Sequence, residues 1–217
     1  MSLTDSTHFY DPRNGNHGLP HDPIKSCVIP RPIGWISSLS DDGVPNLAPY
    51  SYFNLVCDSP LMVVIGSNGE KDTLRNLESE GGDFVFNMVT EELVEAMNRS
   101  ATDLAPEVDE IAECGLTPLP GVNVKAPRIA ESPIHLECQT HSVIDLNDRP
   151  SHRNAIILGK VVGVHINPKI LRDGLIDVRA LRPAARLGYM QYATVGSDLF
   201  ELVRPKSLDD YPKIKPL

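Results

Sequence analysis

Apolar and polar positions along the chain sort into strand-like runs more often than helical ones. The segments 33–39 (IGWISSL), 61–66 (LMVVIG), 83–89 (DFVFNMV), 134–146 (IHLECQTHSVIDL) and 155–166 (AIILGKVVGVHI) are rich in β-branched and aromatic residues. Each is bounded by Gly, Pro, Asp or Asn. In 134–146 the apolar residues Ile134, Leu136 and Cys138 alternate with polar ones, as on a sheet with one wet face. The stretch 38–50 carries an Asp-Gly pair between extended runs, which predicts a hairpin. Helical spacing is scarcer. Residues 71–78 place Leu74 and Leu77 three apart. Residues 90–98 open on Thr90 with two acidic residues behind it, favourable at a helix N-terminus. Residues 107–114 form a third candidate. Many strands and few short helices, without βαβ alternation, predict a mainly β, antiparallel barrel with helical insertions.

Composition narrows the reading. The chain has 217 residues, 41% hydrophobic and 23% charged, which fits one globular domain. Residues 1–23 are polar and rich in Asn, Gly, His and Pro, and read as a flexible arm; 24–204 form the domain; 205–217, with three prolines, form a weakly structured tail. The formal net charge of -9 disfavours nucleic acid and anionic membranes as partners but leaves room for an anionic cofactor met by local donors. No basic, then apolar leader opens the sequence, and no apolar run is long enough to span a bilayer, so a cytoplasmic protein is expected. Cys27, Cys57, Cys114 and Cys138 lie too far apart for a CxxC pair. They are expected as reduced, mostly buried thiols, with no metal site.

Two windows carry candidate chemistry. In 28–54 a strand ending in Ser37 and Ser38 meets the Asp-Gly turn. It is followed by Asn46, Ala48, Pro49, Ser51 and Phe53. So polar a strand suits either a ligand-lining edge, with Pro49 leaving ladder groups free, or a hairpin capped by serines. The second window, 67–73 (SNGEKDT), runs from a strand into the helix of Leu74 and Leu77. Free N–H groups beside Lys71 and Thr73 would suit a monophosphate; ordinary capping by Ser67 or Asp72 explains the same residues. No GxGxxG, GxxxxGK[ST], GxSxG or HExxH sequence is present.

Taken in order, RPIGWISSLSDDGVPNLAPYSYFN, KDTLRNL, FVFN and GLTPLPGVNVKAPRIAESPIHLEC resemble the flavin reductase-like, FMN-binding split-barrel family that includes flavoredoxin, over residues 24–192. The resemblance implies a six-stranded antiparallel split β-barrel and a homodimer with FMN near the subunit interface. It implies FMN contacts from Trp35, Ser37, Ser38, Asn46, Ala48, Pro49, Tyr50 and Ser51, phosphate binding by Lys71 and Thr73, and a further contact from Asn87. Phe53 and Asn54 would support the site. His152 would stand near the nicotinamide or flavin ring as the catalytic candidate. Arg186-Leu187-Gly188-Tyr189 and Tyr192 resemble the family's RLGG…Y element, with Tyr189 where a second Gly is common. The implied activity is hydride transfer from NADH or NADPH to flavin, onward to a small-molecule acceptor or a partner oxygenase. The alternative is an FMN-holding electron carrier with little reductase activity of its own; a third reading is a split barrel that has lost FMN.

Overall fold

The computed structural model describes residues 7–146, 153–196, 198–204 and 207. Along the chain come α1 (Ile24–Cys27), β1 (Arg31–Pro32), β2 (Gly34–Leu39), β3 (Pro45–Tyr50), β4 (Phe53–Asp58), β5 (Leu61–Asn68), α2 (Asp72–Glu78), β6 (Asp83–Asn87), α3 (Val94–Arg99) and α4 (Glu110–Glu113). They are followed by β7 (Pro118–Leu119), β8 (Arg128–Ile129), β9 (Ile134–Asp145), β10 (Asn154–Ile166), β11 (Leu171–Arg172), β12 (Leu175–Ile176), α5 (Val178–Leu181), β13 (Ala184–Arg186) and β14 (Tyr192–Thr194).

Seven strands pair antiparallel in the order β3-β2-β6-β9-β10-β5-β4. The two outermost, β3 and β4, are consecutive in the chain and separated only by Ser51 and Tyr52. A sheet whose edges are joined by so short a link must curl on itself. The Gly66 N–H donates to the Tyr52 carbonyl at 2.7 Å, where the curled edge closes. This is a split barrel, with seven strands where the resemblance implied six. The unforeseen strand is β4, whose side chains run one buried and then five exposed. Such a pattern has no alternation to read.

Two apolar layers hold the barrel. Inside lie Ile36, Phe53, Val63, Ile65, Phe84, Phe86 and Ile157, plugged by Leu74 and Leu77 of α2. The Phe53 and Phe86 rings stack at 4.8 Å between centroids. Outside, Trp35, Leu47, Val89, Met97, Ile111 and Ile129 bury the other face of β2 and β3 under α3 and α4. Strand β2 is therefore enclosed on both faces, and each large side chain it buries contributes roughly 1.5–3 kcal/mol. The β9–β10 ladder bends at a bulge between Leu158 and Gly159. A Cβ at Gly159 would sit 2.3 Å from Phe84 Cζ, so the bulge keeps glycine where the ring crosses it.

Several local expectations change. Helix α2 starts at Asp72, with Lys71 as its N-cap and no side-chain cap bond, so neither Ser67 nor Asp72 caps it. The helix expected over 90–98 is present as a 3₁₀ turn, Glu91–Leu93, that runs directly into α3; Thr90 stands at its N-cap position without a side-chain cap bond and forms an isolated bridge with Pro183. Residues 107–114 contract to α4, where the Asp109 carboxylate accepts from Ile111 N at 2.9 Å and Ala112 N at 3.1 Å. Of the four cysteines only Cys138 is buried. Cys27 on α1 and Cys57 on the edge strand β4 are exposed and Cys114 is half-buried, correcting the expectation of mostly buried thiols. Residues 7–23, expected as an arm, include a 3₁₀ turn at Pro12–Asn14 and bring His21 against Tyr189, ring centroids 6.0 Å apart. Apart from Ser207, the expected tail at 205–217 lies outside the described residues. No described helix is long and apolar enough to cross a membrane.

Candidate functional site

Strand β3 sits at the sheet edge beside the N-terminus of α2, and the two elements define a cleft of about 160 Å³. Asn46, Ala48, Pro49, Tyr50, Lys71 and Thr73 line it on one side; 100–104, the turn after α3, closes the other. A hydrogen-bond chain fixes the polar wall. Asn46 Nδ2 donates to Thr73 Oγ1 at 2.9 Å and to Ser38 Oγ at 3.1 Å, and Asn76 Nδ2 of α2 donates to Ser38 Oγ at 3.0 Å. Ser38 thus ties the sheet to the helix behind the cleft. The Tyr50 hydroxyl is buried without a hydrogen-bond partner among the described residues. Burial pushes its pKa up to about 12, against a smaller pull from Thr73 and Ser67. At neutral pH it is a protonated donor.

The charges of the cleft are mixed. Lys71 is exposed and has no acidic partner among the described residues. The Asp72 carboxylate is engaged by Arg75 one turn on. Glu110 is buried, accepts from Leu47 N at 3.2 Å, and burial raises its pKa. That bond takes the amide of Leu47, and Pro49 has no N–H to give, so the edge of β3 offers few amide donors. Donation into the cleft falls to the side chains of Thr73, Tyr50 and Lys71 and to the first N–H groups of α2.

Pro49 and Ala101 also line a second cavity of about 740 Å³. Its walls come from the arm (His21, Asp22), from Lys25 of α1, from Arg31, Ile33 and Ser51, and from Arg186, Tyr189, Met190 and Tyr192. Arg31 locks these parts together: its guanidinium donates to the carbonyls of Lys25, of Val28 at 2.8 Å and of Leu187 at 2.9 Å. A Cβ at Gly188 would fall 1.8 Å from Ser26 Oγ, so α1 packs here only against glycine. Tyr189 adopts φ 52, backbone that favours glycine, at the position where the resembling family commonly has it.

The structure therefore brings Asn46, Ala48, Pro49, Tyr50, Lys71 and Thr73 to one cleft, with Ser51 on the adjoining cavity and Ser38 fully enclosed behind the wall. Trp35, Ser37 and Asn87 do not join them. All three are fully enclosed. Trp35 Nε1 donates to Ser100 Oγ at 2.9 Å, and Ser37 Oγ donates to the Pro127 carbonyl. Asn87 donates to the Trp35 carbonyl at 3.1 Å and accepts from Ile129 N at 2.9 Å. Their expected side-chain contact with a cofactor, and that of Ser38, is corrected to a supporting role, since side chains with no exposed surface cannot meet a ligand. Phe53 is likewise core, and His152 lies outside the described residues. Among the described residues no cluster of His, Cys, Asp and Glu is placed to hold a metal ion. Sequence reasoning missed the turn at 100–104, Glu110, and the cations Lys25 and Arg31. Only Arg31 carried a signal, a charge at the head of an apolar strand.

Comparison with known proteins agrees with this fold. The family described as "Flavin reductase like domain" matches residues 26–185. An uncharacterised protein of Halalkalibacterium halodurans is 38% identical over 185 residues, covering 82% of this chain and 88% of that one. Among solved structures, nitrilotriacetate monooxygenase component B from Bacillus cereus superposes with a TM-score of 0.84 at 30% identity, over 92% of this chain and 100% of that one. The 2-nitrobenzoate 2-nitroreductase of Pseudomonas fluorescens gives 0.76 at 31% identity, over 85% and 90%.

Proposed function

This chain belongs to the flavin reductase-like family, and on that premise we propose that it holds FMN across the two adjoining cavities and takes hydride from NADH or NADPH. The carrying observation is the Asn46–Thr73–Tyr50 wall, where, among the described residues, a buried hydroxyl has no hydrogen-bond partner and the neighbouring Lys71 no acidic one. That donor set fits a phosphate monoester. Thr73 and Tyr50 hydroxyls, the Lys71 ammonium and the first amides of α2 would hold it. Arg75 engages Asp72 and so offsets one of the carboxylates of the cleft, whose lining also includes Glu70, Asp103 and Glu110.

When bound, FMN supplies the hydride-accepting ring. The work left to the chain is positioning. Pro49 and Ala101 are shared by both cavities, so a ligand anchored in the smaller one extends naturally into the larger. There Ile33, Met97 and Pro49 offer an apolar wall that excludes water. No side chain of the cleft is required to move a proton. A homodimer, an acceptor that is either a small molecule or a partner oxygenase, and a cytoplasmic setting complete the proposal. The B. cereus relative, named as a monooxygenase component, supports the oxygenase reading. The competing reading, a flavin-holding electron carrier, shares every contact and differs in whether reduced nicotinamide reaches the larger cavity.

The phosphate assignment has a direct test. Lys71→Ala combined with Thr73→Ala is expected to weaken FMN by about 100-fold, from the loss of two charge-assisted bonds, and to leave riboflavin binding nearly unchanged. Fluorescence titration of both flavins measures it. Equal affinities of the wild-type protein for FMN and riboflavin would remove the assignment.

A further inference from the structure

The larger cavity holds three cations that no carboxylate among the described residues neutralises. Arg31 and Arg186 are register partners, directly opposite each other on the paired strands β1 and β13. Lys25 projects from α1 into the same cavity. Arg31 is only 7% exposed, and the bonds that hold it run to backbone carbonyls and to Ser51 Oγ. Arg186 donates to the Tyr192 hydroxyl and the Tyr189 carbonyl, with its Cζ 4.4 Å from the Tyr192 ring centroid. None of the three forms an ion pair among the described residues. The one carboxylate in the lining, Asp22, accepts from the Ile24 N–H at 2.9 Å as a local cap.

Like charges directly opposite on paired strands oppose folding, and buried cations are ordinarily paired. In a chain of net charge -9, an acidic partner for them would have been easy to supply. The arrangement is instead complementary to an anion from outside the chain. The remaining walls carry the flat rings of Tyr189 and Tyr192 and the thioether of Met190.

We infer that this cavity takes a small aromatic carboxylate as the second ligand of the site. Lys25 and Arg186 meet the carboxylate, Tyr189 and Met190 cover the ring, and Arg31 contributes field rather than contact because its donors are largely spent on carbonyls. The inference rests on the flavin reading, which leaves the cofactor's phosphate to the smaller cleft and its ring to the Ile33, Met97 and Pro49 wall of this cavity.

Calorimetric titration with benzoate and with its neutral isostere benzamide tests it, on FMN-free and FMN-loaded protein. Benzoate is expected to bind at least about tenfold tighter than benzamide, the effect of one charge-assisted hydrogen bond, and added salt should shrink the difference. Lys25→Gln, an exposed position that leaves the Arg31 lock intact, should remove most of the preference without changing benzamide binding. Arg186→Gln should do the same if the variant folds. Equal affinity for benzoate and benzamide overturns the inference. So does displacement of benzoate by FMN together with loss of FMN affinity in Lys25→Gln, which would give the cations to the cofactor. A benzoate preference that holds in protein unable to bind FMN would sustain the inference and defeat the flavin reading instead.

Discussion

Replacing Glu137 with alanine is expected to lower the free energy of unfolding by about 3–5 kcal/mol, the cost of breaking a buried, hydrogen-bonded charge network. Glu137 lies on β9 with no exposed surface. Its carboxylate accepts from Val122 N at 2.8 Å, Asn123 N at 2.7 Å and His165 Nε2 at 2.7 Å. These bonds pin the loop before β8 onto the β9–β10 ladder, and alanine would leave two amides and an imidazole without their acceptor. Burial pushes the Glu137 carboxyl up, but the Asn123 and Val122 amides and His165 together prevail and hold it below its usual value. The unfolded chain then binds the proton more readily. The stabilisation is full above about pH 4.5 and is lost as pH falls through the lower folded value.

Neighbouring His135 adds an earlier step. Burial lowers its pKa from 6.5, with Arg128 and His165 assisting and the bond to the Ile129 carbonyl opposing. A histidine kept neutral by the fold contributes fully above its unfolded value and less as pH drops below it. Thermal melts on acidification should therefore show stability declining in two stages, the first below about pH 6.5 and the second below about pH 4.5. In Glu137→Ala the second stage should shrink, leaving the part owed to carboxylates such as Glu91, whose bond to Arg182 also lowers its pKa. Melts of that variant that match the wild type at neutral pH would contradict the network.

Asn87→Ala should destabilise the chain by about 2–4 kcal/mol while leaving the flavin affinity of the folded protein unaltered. Its amide donates to the carbonyls of Trp35 and Val85 and to Ser37 Oγ, and its oxygen receives the Ile129 N–H. Alanine would orphan that N–H in the core and cut the tie between β2, β6 and β8. Denaturant unfolding and FMN titration separate the two effects. Lost FMN affinity at unchanged stability would mean that Asn87 reaches the ligand after all.

The reach of sequence reasoning follows from where each residue's partners lie. Strands β5, β6, β9 and β10 were legible because their β-branched runs reflect burial, and α2 because Leu74 and Leu77 share one face. Strand β4 was not, since an edge strand with five exposed positions shows no period. The cleft was half legible. Asn46, Lys71 and Thr73 are polar where a core would be apolar, and that anomaly marks a site. The same anomaly misled at Ser37 and Asn87, whose polarity serves hydrogen bonds inside the core. No local pattern separates the two cases, because the deciding partners, Pro127 and Ile129, lie about 40 to 90 residues away. The opposed pair Arg31 and Arg186 was hidden for the same reason, being adjacent only through the register of β1 with β13.

The most direct test of flavin binding and reduction is an absorbance spectrum of the purified protein after FMN addition and gel filtration, followed by anaerobic NADH and then NADPH. The account predicts flavin bands that travel with the protein and bleach on addition of a reduced nicotinamide. Flavin that elutes apart from the protein, leaving no bands to bleach, would contradict it.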